Sequence, residues 1–222
     1  MSAVAAAGDG EAQSEAQNGP RSRKGAQTRA RLLGAAKEIF EESGFLEARI
    51  SDIAERASLS HGAFYHYFES KEQVFREIAE LLDDRLSEPM NVVLASASTA
   101  GPKERLLISI RDHLARYQEE ARIMGVIEQV ARYDEHVAAV RATRGRLHRE
   151  EMEASIRRLQ RRGLADRTID PAIAAAALGA MVERFAEMWL AQGQLSCDVD
   201  SAAETLATIF VNALGMRDAT PD

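Results

Sequence analysis

The chain has 222 residues, with 28 Lys+Arg against 35 Asp+Glu and a formal net charge of −7, which allows one or two domains around a buried core. One cysteine, Cys197, excludes an internal disulfide framework and a four-cysteine zinc site, and no apolar run approaches the ~18–20 residues that a membrane span needs. Apolar residues reach 45% but aromatics only 5%, and the alanine-rich balance favours helix. The opening MSAVAAAGDGEAQ lacks a positive segment and turns acidic at once, so it does not read as a secretion signal and the expected address is the cytoplasm.

Charge and aromatics divide unevenly along the chain. Residues 1–20 carry net −3, residues 21–76 net +2 and the remainder net −6. Seven of the twelve aromatics (Phe40, Phe45, Phe64, Tyr65, Tyr67, Phe68 and Phe75) fall within 36 residues. A small, mildly basic, aromatic-rich unit therefore precedes a larger acidic one.

Residues 1–24 read as a disordered arm: they have no periodic apolar face, and Arg21, Arg23 and Lys24 give them a short basic end. That end is either a solvated tail or an arm that follows a DNA backbone or minor groove. A first helix is expected from about Gln27 to Ser43, with Leu33, Ala36 and Phe40 on one face and Gly44 as its stop. A short second helix follows through Ile50, Ile53, Ala54 and Ala57. A tight connection at 57–60 leads to a third helix from His61 to about Phe68, and Ser70 with Gln73 forms a capping box for a fourth.

Pro89 is expected to bend or end that fourth helix. Gly101-Pro102 marks a loop before an amphipathic stretch, Lys103–Glu120, and shorter segments run to Tyr133. A long charged helix spans His136–Arg162, its arginines read as a solvated face with pairs such as Glu153–Arg157. Asp170-Pro171 caps a helix reaching Gln192, and Ser201 with Glu204 reads as the cap of the last one. Strand alternation is absent, so the fold class is all-α. It comprises an N-terminal three-helix helix-turn-helix unit at 25–70 and a C-terminal helical unit at 71–222.

Two short helices joined by about four residues, with a first helix packed beneath, are what a helix-turn-helix reader of the major groove requires. The reading end must be small or polar, and here it is Ser60-His61-Gly62-Ala63. Gly62 and Ala63 allow close approach, Ser60 and His61 donate or accept, and Ala63 suits a thymine methyl. Tyr65, His66 and Tyr67 follow within reach of phosphates, half-buried packing being the alternative for the tyrosines and strongest for Tyr67. Lys71 adds a cation at the start of the next helix. His61 and His66 are five apart, which does not put them on one face as zinc ligands.

These residues resemble the DNA-binding domain of TetR/AcrR-type transcriptional regulators. The resemblance covers residues 28–75. It runs through Ala35-Ala36, Phe40, Ser43-Gly44-Phe45, Ile53-Ala54-Glu55-Arg56-Ala57 and Leu59 to Phe68, and closes on Ser70-Lys71-Glu72. It implies an all-α homodimer whose larger domain binds a small-molecule effector and dimerises, acting on a double-stranded DNA operator. Position by position it puts Ser60, His61, Gly62 and Ala63 on bases, and Tyr65, His66, Tyr67 and Lys71 on phosphates. Members carry Ser or Thr where the second helix begins. This chain reads Ala48-Arg49-Ile50-Ser51, leaving Arg49 for the phosphate and Ser51 for the cap.

Within that frame, Met90, Val93, Leu94, His113, Tyr117, Met124, Ile127 and Glu128 are the candidate lining of an effector cavity, and core or surface placement explains them as well. Their composition suits an apolar or amphipathic effector. Ala174, Leu178, Met181, Phe185 and Trp189, with Leu206, Phe210 and Leu214, are the candidate dimer seam, and intrachain packing gives the same pattern. The expected protein is a ligand-responsive repressor that binds a palindromic operator; an activator or an inducer-independent DNA binder would carry the same reader. No nucleophile–base pair, metal-ligand cluster or phosphate-cradling glycine loop stands out, so no enzyme, cofactor or metal is expected.

Overall fold

A computed structural model of the chain describes residues 23–95 and 101–217, with the backbone alone for Asp84 and residues 87–95. The expected arm lies outside the described residues up to position 22. Arg23 and Lys24 do not belong to it, because the first helix, α1, spans Arg23–Glu47. The chain continues through α2 (Ile50–Arg56), α3 (His61–Phe64), α4 (Lys71–Ala95), α5 (Pro102–Glu119), α6 (Ala121–Val130), α7 (Glu135–Arg161), α8 (Pro171–Ala186) and α9 (Val199–Ala213). No strand occurs among the described residues.

The first three helices close over the aromatics that the sequence concentrates there. Leu32, Phe40, Ile53, Phe64, Phe68 and Phe75 are almost wholly buried. Phe75 sits edge-on to Phe40 at 5.1 Å and to Phe45 at 4.9 Å, so the start of α4 belongs to the same core. Removing one such ring costs about 3–5 kcal/mol, a large share of a small domain's stability. Gly44 breaks α1 with φ 74°, ψ 170°, a conformation that swings Phe45 into this core.

The turn between α2 and α3 is a Schellman motif. Ser58 N–H bonds the Glu55 carbonyl and Leu59 N–H the Ala54 carbonyl, both at 2.8 Å. Ser58 occupies the left-handed position with φ 54°, where glycine is the usual residue. Arg31 donates from α1 to the Ala57 carbonyl and holds the turn from below. Regular α geometry in α3 ends at Phe64, four residues before the expected limit, and Tyr65 to Tyr67 continue as a turn.

From α4 onward the helices form a layered bundle in which α4 packs on α5 and α7, α7 on α8, and α5 on α9. The expected break at Pro89 does not occur, since α4 runs on to Ala95. Proline there deprives the Arg85 carbonyl of its helical partner four residues on, and Arg116 Nη1 of α5 lies 3.4 Å from that oxygen. A partner from the neighbouring helix lets the α-helix continue. A π-helical turn, Glu187–Ala191, extends α8 and buries Trp189; period alone did not reveal it.

The caps agree in part with expectation. Asp170 accepts from the N–H groups of Ala172 and Ile173, and Ser70 Oγ from Gln73 N–H. At α9 the cap is Asp198, which accepts from Ser201 N–H at 2.8 Å. Ser201 is thus the third residue of the helix rather than its cap, because the carboxylate upstream also answers the helix dipole.

Candidate nucleic-acid interface and effector cavity

The N-terminus of α3 is built for exposure. Ser60 is its N-cap and accepts from Ala63 N–H at 3.2 Å, so that oxygen serves the helix first. His61 and Gly62 are exposed and Ala63 is half-buried. His61 and Tyr65 share a face, with rings 5.4 Å apart, and Tyr65 is 51% exposed. His66 is exposed, whereas Tyr67 is half-buried against the core.

A Cβ added at Gly62 would meet nothing within 4 Å, and its φ is not left-handed. Neither packing nor backbone conformation within the chain demands glycine there.

Two sequence assignments change. Ser51 is not the cap of α2: Arg49 holds that position in extended conformation without a side-chain cap bond, and Ser51 Oγ donates to Asp52 Oδ1 at 2.9 Å. Lys71 is not a loose phosphate cation. Its Nζ donates to the carbonyls of Phe45, Leu46 and Ala48 at 2.8, 3.0 and 3.0 Å and lies 4.8 Å from the centre of the Phe45 ring. Three ammonium donors and three carbonyls saturate the group. Lys71 thus closes the corner between α1 and α2, which Gly44 opens.

The larger unit contains a cavity of about 310 Å³ between α4, α5, α6, α7 and α8. Of the expected lining, His113, Tyr117, Met124 and Glu128 are there. Ile127 is buried in the core without reaching it, and the side chains of Met90, Val93 and Leu94 lie outside the described residues. Sequence reasoning missed Arg141, Arg144 and His148, which line the cavity from α7. The two arginines belong to the helix expected to present a solvated face, yet with His148 their spacing of three and four residues marks one inward face. Arg141 pairs with Glu128, and Arg144 reaches Asp83 at 4.0 Å. Elsewhere on α7 the expected Glu153–Arg157 pair forms at the surface.

Burial controls the titrating groups of this cavity. It pushes His113 down to about 4, helped by His148, and lowers His148 as well. It raises the Tyr117 phenol and the Glu128 carboxyl, the latter against the pull of Arg141. A second concavity of about 390 Å³, between the far ends of α5, α7 and α9, contains none of the expected lining residues.

The expected dimer seam needs correction. Ala174, Leu178, Trp189, Leu206, Phe210 and Leu214 are all at most 8% exposed in the single chain, and only Met181 and Phe185 are half-buried. Helical period located the apolar faces, and the chain's own core takes them. The apolar residues left exposed on α8 and α9 are Ala172, Ile173, at 71% exposure, Ala176, Ala177, Ala180, Ile209, at 42%, and Ala213.

A short exposed helix held by a Schellman turn over a three-helix core defines a helix-turn-helix DNA-binding protein. Residues 32–78 match the family profile "Bacterial regulatory proteins, tetR family". The chain is 33% identical over 89 residues to the HTH-type transcriptional regulator YdgC of Bacillus subtilis, covering 39% of this chain and 46% of that one. It is 29% identical over 102 residues to the transcriptional repressor KstR2 of Rhodococcus jostii, covering 42% and 50%. The chain thus spans half or less of the length of these curated relatives. Among solved structures it is similar to the TetR family regulator PfmR of Thermus thermophilus, at 26% identity and TM-score 0.67, over 82% of this chain and 97% of that one. Residues 32–78 thus carry the DNA-binding domain of the TetR family of transcriptional regulators. These are DNA-binding regulators rather than enzymes. No helix among the described residues is long and apolar enough to cross a membrane.

Proposed function

We propose that the protein is a cytoplasmic, ligand-responsive transcriptional repressor, which binds a palindromic operator as a dimer and is released when a small molecule enters the 310 Å³ cavity. The observation that carries the DNA-reading part is Gly62, small for no reason inside the chain, beside exposed His61 and Tyr65. His61 then reads base edges, Gly62 and Ala63 let the helix approach, and Arg49, Tyr65 and His66 meet phosphates. Lys71 acts by positioning. The name of KstR2 supports repression.

Release follows a physical route from cavity to DNA. His113 bonds the backbone carbonyl of Leu86 on α4, the helix that begins in the DNA-reading core. Next to Leu86, Arg85 donates to Glu120 at 2.6 Å, and Glu120 lies 3.1 Å from Lys37 of α1. A ligand that shifts α4 therefore moves the reading unit. Two such units must span half-sites ~34–36 Å apart or a multiple of that, so a small rotation removes the fit. Reversing occupancy from 99:1 to 1:99 takes about 5.5 kcal/mol of preference for the released state.

The test is fluorescence anisotropy with DNA from just upstream of the protein's own gene, beside unrelated DNA and a Tyr65→Ala variant. Binding at least ~10³-fold tighter than to unrelated DNA, and lost in the variant, is expected. Equal affinity for both DNAs, persisting after genome-wide site selection, overturns the proposal.

A further inference from the structure

The effector cavity has two polar atoms that the fold leaves unanswered. His113 Nε2 and Tyr117 Oη are both buried and neither has a hydrogen-bond partner. Both residues line the cavity, one turn apart on α5, with ring centres 6.2 Å apart. Buried polar atoms are nearly always satisfied, and an unsatisfied one is costly to keep. Two of them on one wall of a cavity describe the missing partner.

Their chemistry restricts it. Since Nε2 is unpartnered, the backbone bond to Leu86 uses the other ring nitrogen, Nδ1, which must carry the proton to donate to a carbonyl. Burial keeps the imidazole neutral, so Nε2 presents a bare lone pair and needs a donor. The Tyr117 phenol stays protonated and has its own hydrogen to give. A group that serves both must donate to Nε2 and accept from Oη. A carboxylate has no proton for Nε2, and an ammonium has no lone pair for the phenol. A hydroxyl does both with one atom.

The other walls agree. Leu86, Leu106, Ile110, Met124 and Phe210 are apolar, while Glu128 and Glu187 lie against Arg141 and Arg184. Each lining arginine faces a carboxylate, Arg144 reaching Asp83, which leaves no unmatched cation for an anionic ligand.

We propose that the effector is a neutral, hydroxyl-bearing molecule, otherwise apolar, whose hydroxyl bridges His113 Nε2 and Tyr117 Oη. This deepens the reading of the cavity as the effector site and rests on it.

The experiment uses the full chain and a matched pair of probes, 4-phenylphenol and 4-methylbiphenyl, which differ by a hydroxyl in place of a methyl. Affinity is read by equilibrium dialysis and operator release by anisotropy, in wild type and in Tyr117→Phe. The expected result is that the phenol binds about tenfold or more tighter than its methyl counterpart, and that it alone releases DNA. The gap closes in Tyr117→Phe, whose affinity for the methyl compound is unchanged. A readout independent of any ligand accompanies it. Tyr117→Phe melts at or above the wild-type temperature, because the lost hydroxyl had no partner in the free protein.

Equal affinity of the pair, or a gap that survives in Tyr117→Phe, overturns the hydroxyl assignment while DNA release by either compound leaves the cavity as the effector site. Failure of both compounds to bind also overturns the assignment. A Tyr117→Phe melting point several degrees below wild type shows a hydroxyl already satisfied by water or protein, with the same consequence. Loss of specific operator binding by the wild type is the separate failure of the repressor reading.

Discussion

Lys37 Nζ, on the first helix of the DNA-reading unit, lies 3.1 Å from Glu120 Oε2 at the buried corner between α5 and α6. Glu120 is 5% exposed and its other oxygen accepts from Arg85 Nη1 of α4 at 2.6 Å. One carboxylate thus joins the reading unit, the connecting helix and the cavity-bearing bundle. Its desolvation is tolerable because both oxygens face cations, and neutralising it leaves Lys37 only Glu41 and Arg85 only the more exposed Glu119 as counter-charge. Glu120→Gln is expected to lower stability by about 2 kcal/mol and to weaken effector-driven release. Urea denaturation and anisotropy with effector measure the two effects, and an unchanged release curve would separate the corner from signalling.

Ser58 makes the opposite kind of prediction. Its φ of 54° places a β-carbon where the Schellman turn tolerates hydrogen, and no glycine stands at that position. Ser58→Gly should stabilise the helix-turn-helix unit by ~1 kcal/mol by removing the left-handed penalty, with some of that gain returned as extra backbone entropy in the unfolded chain. Thermal melting is the check, and operator affinity should stay as it was, since the turn geometry is unchanged.

Much of the fold was legible because the small domain's signals are local. Phe40, Phe64 and Phe68 keep helical spacing, Gly44 stops α1, and Asp170-Pro171 starts α8. What escaped depends on partners distant in sequence. Lys71 looks like a surface cation until the carbonyls of Phe45, Leu46 and Ala48 are brought to it, and Arg141 looks solvated until Glu128 faces it. Pro89 looks like a helix end until Arg116 is found near the carbonyl that it leaves open. Apolar period marked the faces of α8 and α9 but not which neighbour covers them. An apolar stripe gives the same signal against its own chain as against another.

The capping role of Lys71 has a measurable signature. A side chain that neutralises one phosphate contributes ~0.9 to the slope of log affinity against log salt. With its three donors on backbone carbonyls, Lys71→Met should lower the melting temperature and weaken all DNA binding, yet change that slope by much less than one contact. A slope reduced by about 0.9 without loss of stability would return Lys71 to the phosphate.

His113 makes stability depend on pH. Its folded value lies near 4, against 6.5 for the free side chain. Between those values the unfolded chain binds a proton that the native chain does not, so acidification favours unfolding. Stability should be fully present above about pH 6.5 and fall by ~1.4 kcal/mol per unit below it, levelling off near pH 4. His148, lowered by burial in the same cavity, adds in the same direction. His113→Gln should flatten the slope between pH 6.5 and 5, measured by urea denaturation at each pH. A slope identical to wild type would mean that the imidazole is protonated in the fold.

The proposed dimer carries a definite expectation about its face. The buried residues of α8 and α9 already serve the chain's own core, so a partner has access to Ile173, Ala176, Ala177, Ala180 and Ile209 instead. On α8 these recur at three and four residues, which makes one narrow stripe, and its alanines allow a facing helix to come close. Ile173, 71% exposed, and Ile209, 42% exposed, are the large apolar side chains left outside on α8 and α9. Ile173→Lys with Ile209→Lys places two charges in a seam that would have to desolvate them, while changing nothing buried in the single chain. The double variant should therefore be a monomer by light scattering, retain the wild-type far-ultraviolet circular dichroism, and lose most of its affinity for a two-half-site operator. Lys substitution at Phe210, which is 3% exposed, should unfold the chain rather than separate it. A double variant that remains dimeric would place the seam elsewhere on the bundle.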